Sequence, residues 1–299
     1  MSEEIIIAEH ELPIRIDRYL RTIDPFMTQG VIEKSLREGR IKVNGIKVKS
    51  NYRISNGDKI VFANKIPPKS LKPDVKNSTI VVALAKKLLS EYLISDHRDF
   101  LAINKPAGIP SQGGTKISLS LDDALSYLNS KNFDLRLVHR LDKDTSGVML
   151  ISKNRDAAIK LTGGFKDHKI YKTYFACVSP VPKESSGKIA SYLIKTSDFE
   201  VKSYATEVPD SKLAITNYQV IKSEGDIALV KFTPETGRMH QLRVHSKEMG
   251  CPIIGDERYG GVESKYLMLH SAEAVIDKTV LGEEVVIKVK IPEYFPLVN

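Results

Sequence analysis

Between two short, mainly apolar strand segments, Leu135–Val138 and Gly147–Ser152, the chain carries the polar stretch His139-Arg-Leu-Asp-Lys-Asp-Thr-Ser-Gly147. Runs as continuously apolar as Gly147–Ser152 and Phe100–Asn104 suit strands covered on both faces. The charged segment must then be a loop held at the end of buried strands, where a rigid scaffold can display catalytic groups. An Asp-Thr-Ser turn also caps strand ends, so the segment alone leaves a functional and a structural reading open. Asp142 and Asp144 are neighbours but one and need not share a site.

The sequence after Asp99 is rich in strands with helices interspersed. Asn154–His168 reads as a helix, and Ile170–Val178 alternates, which puts Ile170, Lys172, Tyr174, Ala176 and Val178 on one face. Lys212–Lys222 and Ile227–Phe232 read as strands, followed by a helix from about His240 to Met249. This order predicts an α+β fold with a mixed, largely antiparallel sheet rather than regular βαβ winding.

A chain of 299 residues has room for two domains. Residues 12–75 hold 14 Lys/Arg against 6 Asp/Glu, which accounts for the whole formal charge of +8. A basic module on a neutral body suggests a polyanion-binding attachment, with a merely solvated basic face as the alternative. Within it, Ile16, Tyr19, Leu20 and Ile23 have helical spacing, and Thr28 is placed to cap a second helix that turns Val31, Ile32, Ser35 and Leu36 inward. Ile41–Val43 and Ile46–Val48 flank Asn44-Gly45, the dipeptide of a tight hairpin, and a strand Lys59–Phe62 follows. The order R-x-D-x-x-L, G-R-I-K-V-N-G and N-G-D-K-I resembles the S-four RNA-binding domain over residues 12–63. Arg15, Arg18, Arg37, Arg40 and Lys42 lie where two helices and a strand can share a face, one able to neutralise phosphates without reading sequence. Residues 64–80 are rich in proline and lysine and read as a linker, with a second domain over 81–299 that opens on an amphipathic stretch.

The H-R-L-D-x-D-T-S-G loop resembles the signature of the RluA family of pseudouridine synthases. Four further elements in order strengthen the resemblance: Asn104-Lys-Pro-Ala-Gly108, Lys172-Thr-Tyr174-Phe-Ala176, Thr236-Gly-Arg-Met-His-Gln-Leu-Arg-Val-His245 continuing to Gly250–Gly260, and Leu267-Met-Leu-His270. The likeness spans residues 99–275 and implies an enzyme that turns uridines of RNA into pseudouridines. It assigns the catalytic carboxylate to Asp142, which attacks C1′, adds to C6 of the base or abstracts the C2′ proton. Arg243 becomes the cation that keeps Asp142 ionised, and Tyr174 the ring against which uracil stacks. Arg140 would fill the space left by the flipped nucleotide, Leu242 would pack on the base, and His139 and Lys172 would sit on the substrate side. Without the resemblance, Tyr174 and Leu242 read as core and Arg140 as a loop-edge salt bridge.

The reaction has no redox, energy-coupled or metal step, so no cofactor is expected. His240 and His245 lie off one helical face and do not suggest a metal site, and Gly113-Gly114 lacks the context of a phosphate loop. The S-four module narrows the expected partner to large-subunit ribosomal RNA, and Gln112-Gly-Gly114 favours the RluC branch over the RluD branch. The alternatives are a noncatalytic RNA-binding assembly factor on the same fold and a synthase acting on transfer RNA. A tyrosyl-transfer-RNA synthetase would need HIGH-like and KMSKS-like elements, which are absent. With no apolar run of about 20 residues, an acidic N-terminus and two unpaired cysteines, the expectation is a cytoplasmic monomer without membrane attachment.

Overall fold

The computed structural model describes residues 3–6, 13–23, 27, 29–63, 78–113, 119–197 and 200–298. Two compact units divide the chain, Met1–Asp74 and Val75–Asn299. Thr28, most of the expected linker and Gly114 lie outside the described residues.

In the first unit, β1 (Glu3–Ile6) is followed by β2 (Ile14–Arg15), α1 (Ile16–Ile23), α2 (Gln29–Glu38), β3 (Ile41–Val43), β4 (Arg53–Ile54) and β5 (Lys59–Phe62). Ile16, Leu20, Ile32, Leu36, Ile41 and Ile60 form its core. Asn44 and Gly45 both take positive φ, +50° and +76°, as the two-residue turn requires. The expected hairpin does not continue, however. Beyond the single bridge Val43–Ile46, residues 46–48 form no strand, and β3 pairs with β5 instead. Ile46 and Lys47 are exposed and contribute nothing to a buried face that would hold them in a ladder.

The second unit starts with α3 (Thr79–Leu89), earlier than the expected boundary at 81 because Ser78 caps it by accepting from the Val81 amide. Then come β6 (Leu93–Asp96), β7 (Phe100–Lys105), α4 (Leu121–Asn129), β8 (Arg136–Leu137), β9 (Ser146–Ser152), α5 (Arg155–Lys166), β10 (Ile170–Val178), β11 (Ser186–Ser197), β12 (Glu200–Tyr204), β13 (Lys212–Glu224), β14 (Ile227–Pro234), α6 (Gln241–Glu248), β15 (Leu269–Ile276), α7 (Lys278–Leu281) and β16 (Val285–Lys288). The strands make one 11-stranded sheet in the order β12-β11-β13-β14-β10-β15-β9-β7-β6, with β16 beside β15 and β8 beside β9. All its pairings are antiparallel except that of β9 with β15.

The apolar runs have the cause anticipated from sequence. Leu101, Ile103, Met149 and Ile151 bury against α3 and α4. On the other face Phe100, Ala102, Val148 and Leu150 bury against Leu161 of α5 and Leu281 of α7. Strand β10 divides its loyalties: Tyr174, Ala176 and Val178 join the first of these clusters, whereas Ile170 joins the second.

The parallel contact of β9 and β15 fixes the end of the polar loop. Gly147 takes φ +112°, and a Cβ there would lie 2.1 Å from the Ser271 carbonyl oxygen. Only glycine allows the two backbones to meet so closely. The segment Val138–Thr145 therefore leaves the sheet where its two halves join.

Candidate active site

The polar loop is held by its backbone. Ser111 Oγ donates to the Leu141 carbonyl at 2.6 Å and accepts from the Leu141 amide at 3.1 Å, and the Gly108 amide donates to the Lys143 carbonyl at 2.9 Å. Lys105 is fully buried, and its Nζ donates to the carbonyls of Pro106, Ile109 and Lys143, each at 2.9 Å. Burial pushes its ammonium down to about 7, opposed by the charges of Asp144 and Asp142. Three carbonyls accepting its three protons also favour the charged form. The Asn104–Gly108 element thus clamps the loop that carries Asp142.

With the loop fixed, Asp142 faces a cavity of about 160 Å³ that Arg140, Lys172, Tyr174, Leu242 and Arg243 also line. A cavity of roughly 150 Å³ holds one benzene-sized ring, so there is room for a single pyrimidine. Tyr174 is nearly buried on β10, Leu242 is at once core and lining, and Arg140 is exposed at the rim. The Lys172 ammonium stands 5.7 Å from the centre of the Phe165 ring and 5.9 Å from that of Tyr174.

His139 is not in this group. Its Nε2 accepts from the Leu150 amide at 2.8 Å, and its ring lies 4.4 Å from that of Phe165. Burial pushes it down to about 3, so the ring is neutral and ties the loop to β9. Adjacency in a motif does not decide which way a side chain points.

Arg243 enters from α6, but its nearest carboxylate is not Asp142. Nε and Nη2 donate to the two oxygens of Asp256, both at 2.7 Å, while Nη1 stands 3.8 Å from Asp142 Oδ2. Asp256 has no exposed side-chain surface, and the guanidinium lies over the Tyr259 ring at 5.1 Å. The expected Asp142–Arg243 pair is therefore one arm of a triad whose tighter arm is Asp256. The Gly255-Asp-Glu-Arg-Tyr-Gly260 element is visible in sequence, but nothing local says where its aspartate points.

Helix α6 is seated by polar contacts along its first turns. Gln241 donates to the Ile215 carbonyl and to Thr216 Oγ1, each at 3.0 Å, and accepts from Thr236 Oγ1 at 2.8 Å. His245 is buried between Thr216 Oγ1 at 2.8 Å and Ser191 Oγ at 3.2 Å. His240, which precedes the helix, has φ +53°, a left-handed conformation that costs a non-glycine residue about 1–3 kcal/mol. Among the described residues no three His, Cys, Asp or Glu side chains gather as a metal site would require.

Residues 99–248 match the family described as RNA pseudouridylate synthase. The chain belongs to that family. It is 43% identical over 297 residues to the ribosomal large subunit pseudouridine synthase C of Rickettsia conorii, covering 97% of this chain and 98% of that one. To the protein of the same name in Vibrio vulnificus it is 34% identical over 249 residues, 82% of this chain and 76% of the other. The solved structure of human RNA pseudouridylate synthase domain containing 4 superposes with a TM-score of 0.61 at 29% identity, over 72% of this chain and 94% of that one. The chain is thus an RNA pseudouridine synthase of the RluC branch, and its large mixed α+β sheet is that of the family.

The five basic residues expected to share a face in the first unit divide. Arg15 grips the buried Asp17 with Nε at 3.0 Å and Nη2 at 2.6 Å, and Arg40 pairs with Glu38 at 2.7 Å. A groove of about 640 Å³ is lined by Arg15 and Arg37 together with Lys47 and Lys49. Lys42 lies beside Lys47 over Gly39, while Arg18 and Arg40 are exposed outside the groove lining. Sequence pattern misses Lys47 and Lys49, because it predicts a hairpin strand where the chain instead leaves the sheet. Among the described residues no helix is long and apolar enough to cross a membrane.

Proposed function

We propose that this enzyme isomerises chosen uridines of large-subunit ribosomal RNA, with Asp142 as its catalytic carboxylate. The observation that carries the reading is the convergence of Asp142, Tyr174 and Arg243 on one cavity with room for a single ring. A uridine inside a helix must first leave its stack, at a cost of a few kcal/mol. Arg140, exposed at the rim, fills the vacated place, and Lys172 meets a phosphate of the flipped nucleotide. Tyr174 and Leu242 grip the two faces of the uracil while Asp142 lies beside the sugar. From there the carboxylate reaches C1′, C6 or the C2′ proton. Each route breaks the N1–C1′ bond, lets the ring turn and rejoins it through C5, which gives up its proton while N1 takes one up. Arg243, fixed by Asp256, supplies positive charge beside the carboxylate without moving.

The ribosomal substrate is supported by the names of the relatives that match along almost their full length. The first unit fits an S-four-type phosphate anchor over residues 12–63. Its groove of Arg37, Lys47 and Lys49 is the feature that would hold the RNA backbone. The test is to map pseudouridines in ribosomal and transfer RNA from cells with and without this protein. Sites in large-subunit RNA should disappear. Loss confined to transfer RNA would contradict the reading.

A further inference from the structure

His240 lines the same cavity, yet the chemistry assigned to Asp142, Tyr174 and Arg243 gives it no task. Its side chain makes no capping bond to the helix it precedes. Instead Nδ1 lies 2.8 Å from Tyr259 Oη, and that oxygen accepts from the Val201 amide at 3.2 Å. In the arrangement proposed below, the hydroxyl donates its own proton to Nδ1 and the ring proton sits on Nε2. Nε2 stands 3.9 Å from Asp142 Oδ2, the same oxygen that Arg243 Nη1 faces at 3.8 Å.

We propose that His240 is a positioning residue for Asp142, a neutral Nε2–H donor that works with Arg243 on Oδ2 and presents Oδ1 to the substrate. Both contacts are longer than hydrogen bonds and close when the substrate fixes the carboxylate, as catalytic contacts often do. The ring stays neutral because burial pushes it down to about 4, with Arg243 and Arg258 acting in the same sense and Asp142 and Asp256 against it. Those charges, with the Tyr259 hydroxyl, are the titratable and charged groups that face the ring. A histidine rather than an arginine at this point adds a directed donor without adding a second full charge.

This inference rests on Asp142 being the catalytic carboxylate, so the test includes Asp142→Asn as a reference. Single-turnover pseudouridine formation at saturating RNA is measured against pH for His240→Leu, His240→Gln and Tyr259→Phe, with RNA affinity and melting temperature for each. Leucine keeps bulk without a donor, while glutamine carries an amide N–H at the reach of Nε2. His240→Leu should lower the rate by about 10- to 100-fold with RNA affinity unchanged, and should move the acid limb of the profile to higher pH. His240→Gln should recover most of the rate and the wild-type limb. Tyr259→Phe, which keeps the ring under Arg243 but frees the tautomer, should show the same limb displacement in weaker form. A wild-type rate in His240→Leu, or equal loss in the leucine and glutamine variants, would overturn the proposal. If His240→Leu does not fold, an unchanged acid limb in Tyr259→Phe would do so. An active Asp142→Asn would instead remove the assignment of Asp142 itself.

Discussion

Arg243 commits two nitrogens to Asp256 at 2.7 Å each and leaves a third 3.8 Å from Asp142. The residue that holds this guanidinium is therefore a buried aspartate 13 positions further along the chain. Asp256→Asn should remove charge from one half of this pair and leave Arg243 in a largely dry site. Breaking a buried pair in this way costs about 3–5 kcal/mol, read as a fall in unfolding free energy in urea, and the single-turnover rate should fall with it. If Arg243 were held chiefly by Asp142, the substitution would leave both nearly unchanged.

Lys105 offers a second test away from the cavity. Lys105→Met keeps most of the buried bulk but strands the carbonyls of Pro106 and Ile109 and leaves that of Lys143 with the Gly108 amide alone. Each unsatisfied carbonyl costs about 1–3 kcal/mol, and the loop bearing Asp142 loses its clamp. Stability should drop by at least about 2 kcal/mol in chemical denaturation, and activity should fall more steeply than RNA binding. A variant with wild-type stability would show that the three hydrogen bonds contribute nothing net.

Buried histidines make the fold sensitive to acid. Burial pushes His139 down to about 3 and His240 and His270 to about 4. Their free values are near 6.5, so the unfolded chain takes up protons first as pH falls. Their contribution to stability is complete above that value and is lost as pH drops from about 6.5 toward 4, at roughly 1.4 kcal/mol per pH unit for each histidine. Urea denaturation at pH 7 and pH 5 should show the protein less stable at pH 5. Equal stability at the two values would contradict the burial of these rings as neutral groups.

The groove of the first unit predicts a salt effect. Reversing charge at Arg37, Lys47 and Lys49 should weaken binding to ribosomal RNA and flatten the dependence of log affinity on log salt, by somewhat under one unit for each phosphate that is no longer neutralised. The rate at saturating RNA should stay near wild type, since none of the three lines the Asp142 cavity. An unchanged salt slope would place the RNA anchor elsewhere.

What is legible in the sequence follows from what local pattern can express. Strands β7 and β9 stand out because burial on both faces leaves an unbroken apolar run, and the loop between β8 and β9 stands out against them. Strands β11 and β12 do not, because they lie at one end of the sheet and mix exposed lysines and serines with residues such as Leu193 and Val201 that pack under Val244 of α6. Asn44-Gly45 announces its turn, yet turn chemistry cannot say that β3 will choose distant β5 over its neighbour. In the site, Asp142, Tyr174 and Arg243 come through motif resemblance and meet in space. Asp256 and His240 are given no role by it, because the partners that define them, Arg243 for one and Tyr259 and Asp142 for the other, are brought near only by the fold. Motif adjacency puts His139 on the wrong side of its loop for the same reason.

The central claim is that Asp142 performs the chemistry. Asp142→Asn keeps the shape of the side chain and removes its charge. It should bind ribosomal RNA with nearly the affinity of the wild type and form no pseudouridine in a single-turnover assay at saturating enzyme. Retention of as much as a tenth of the wild-type rate would contradict the account.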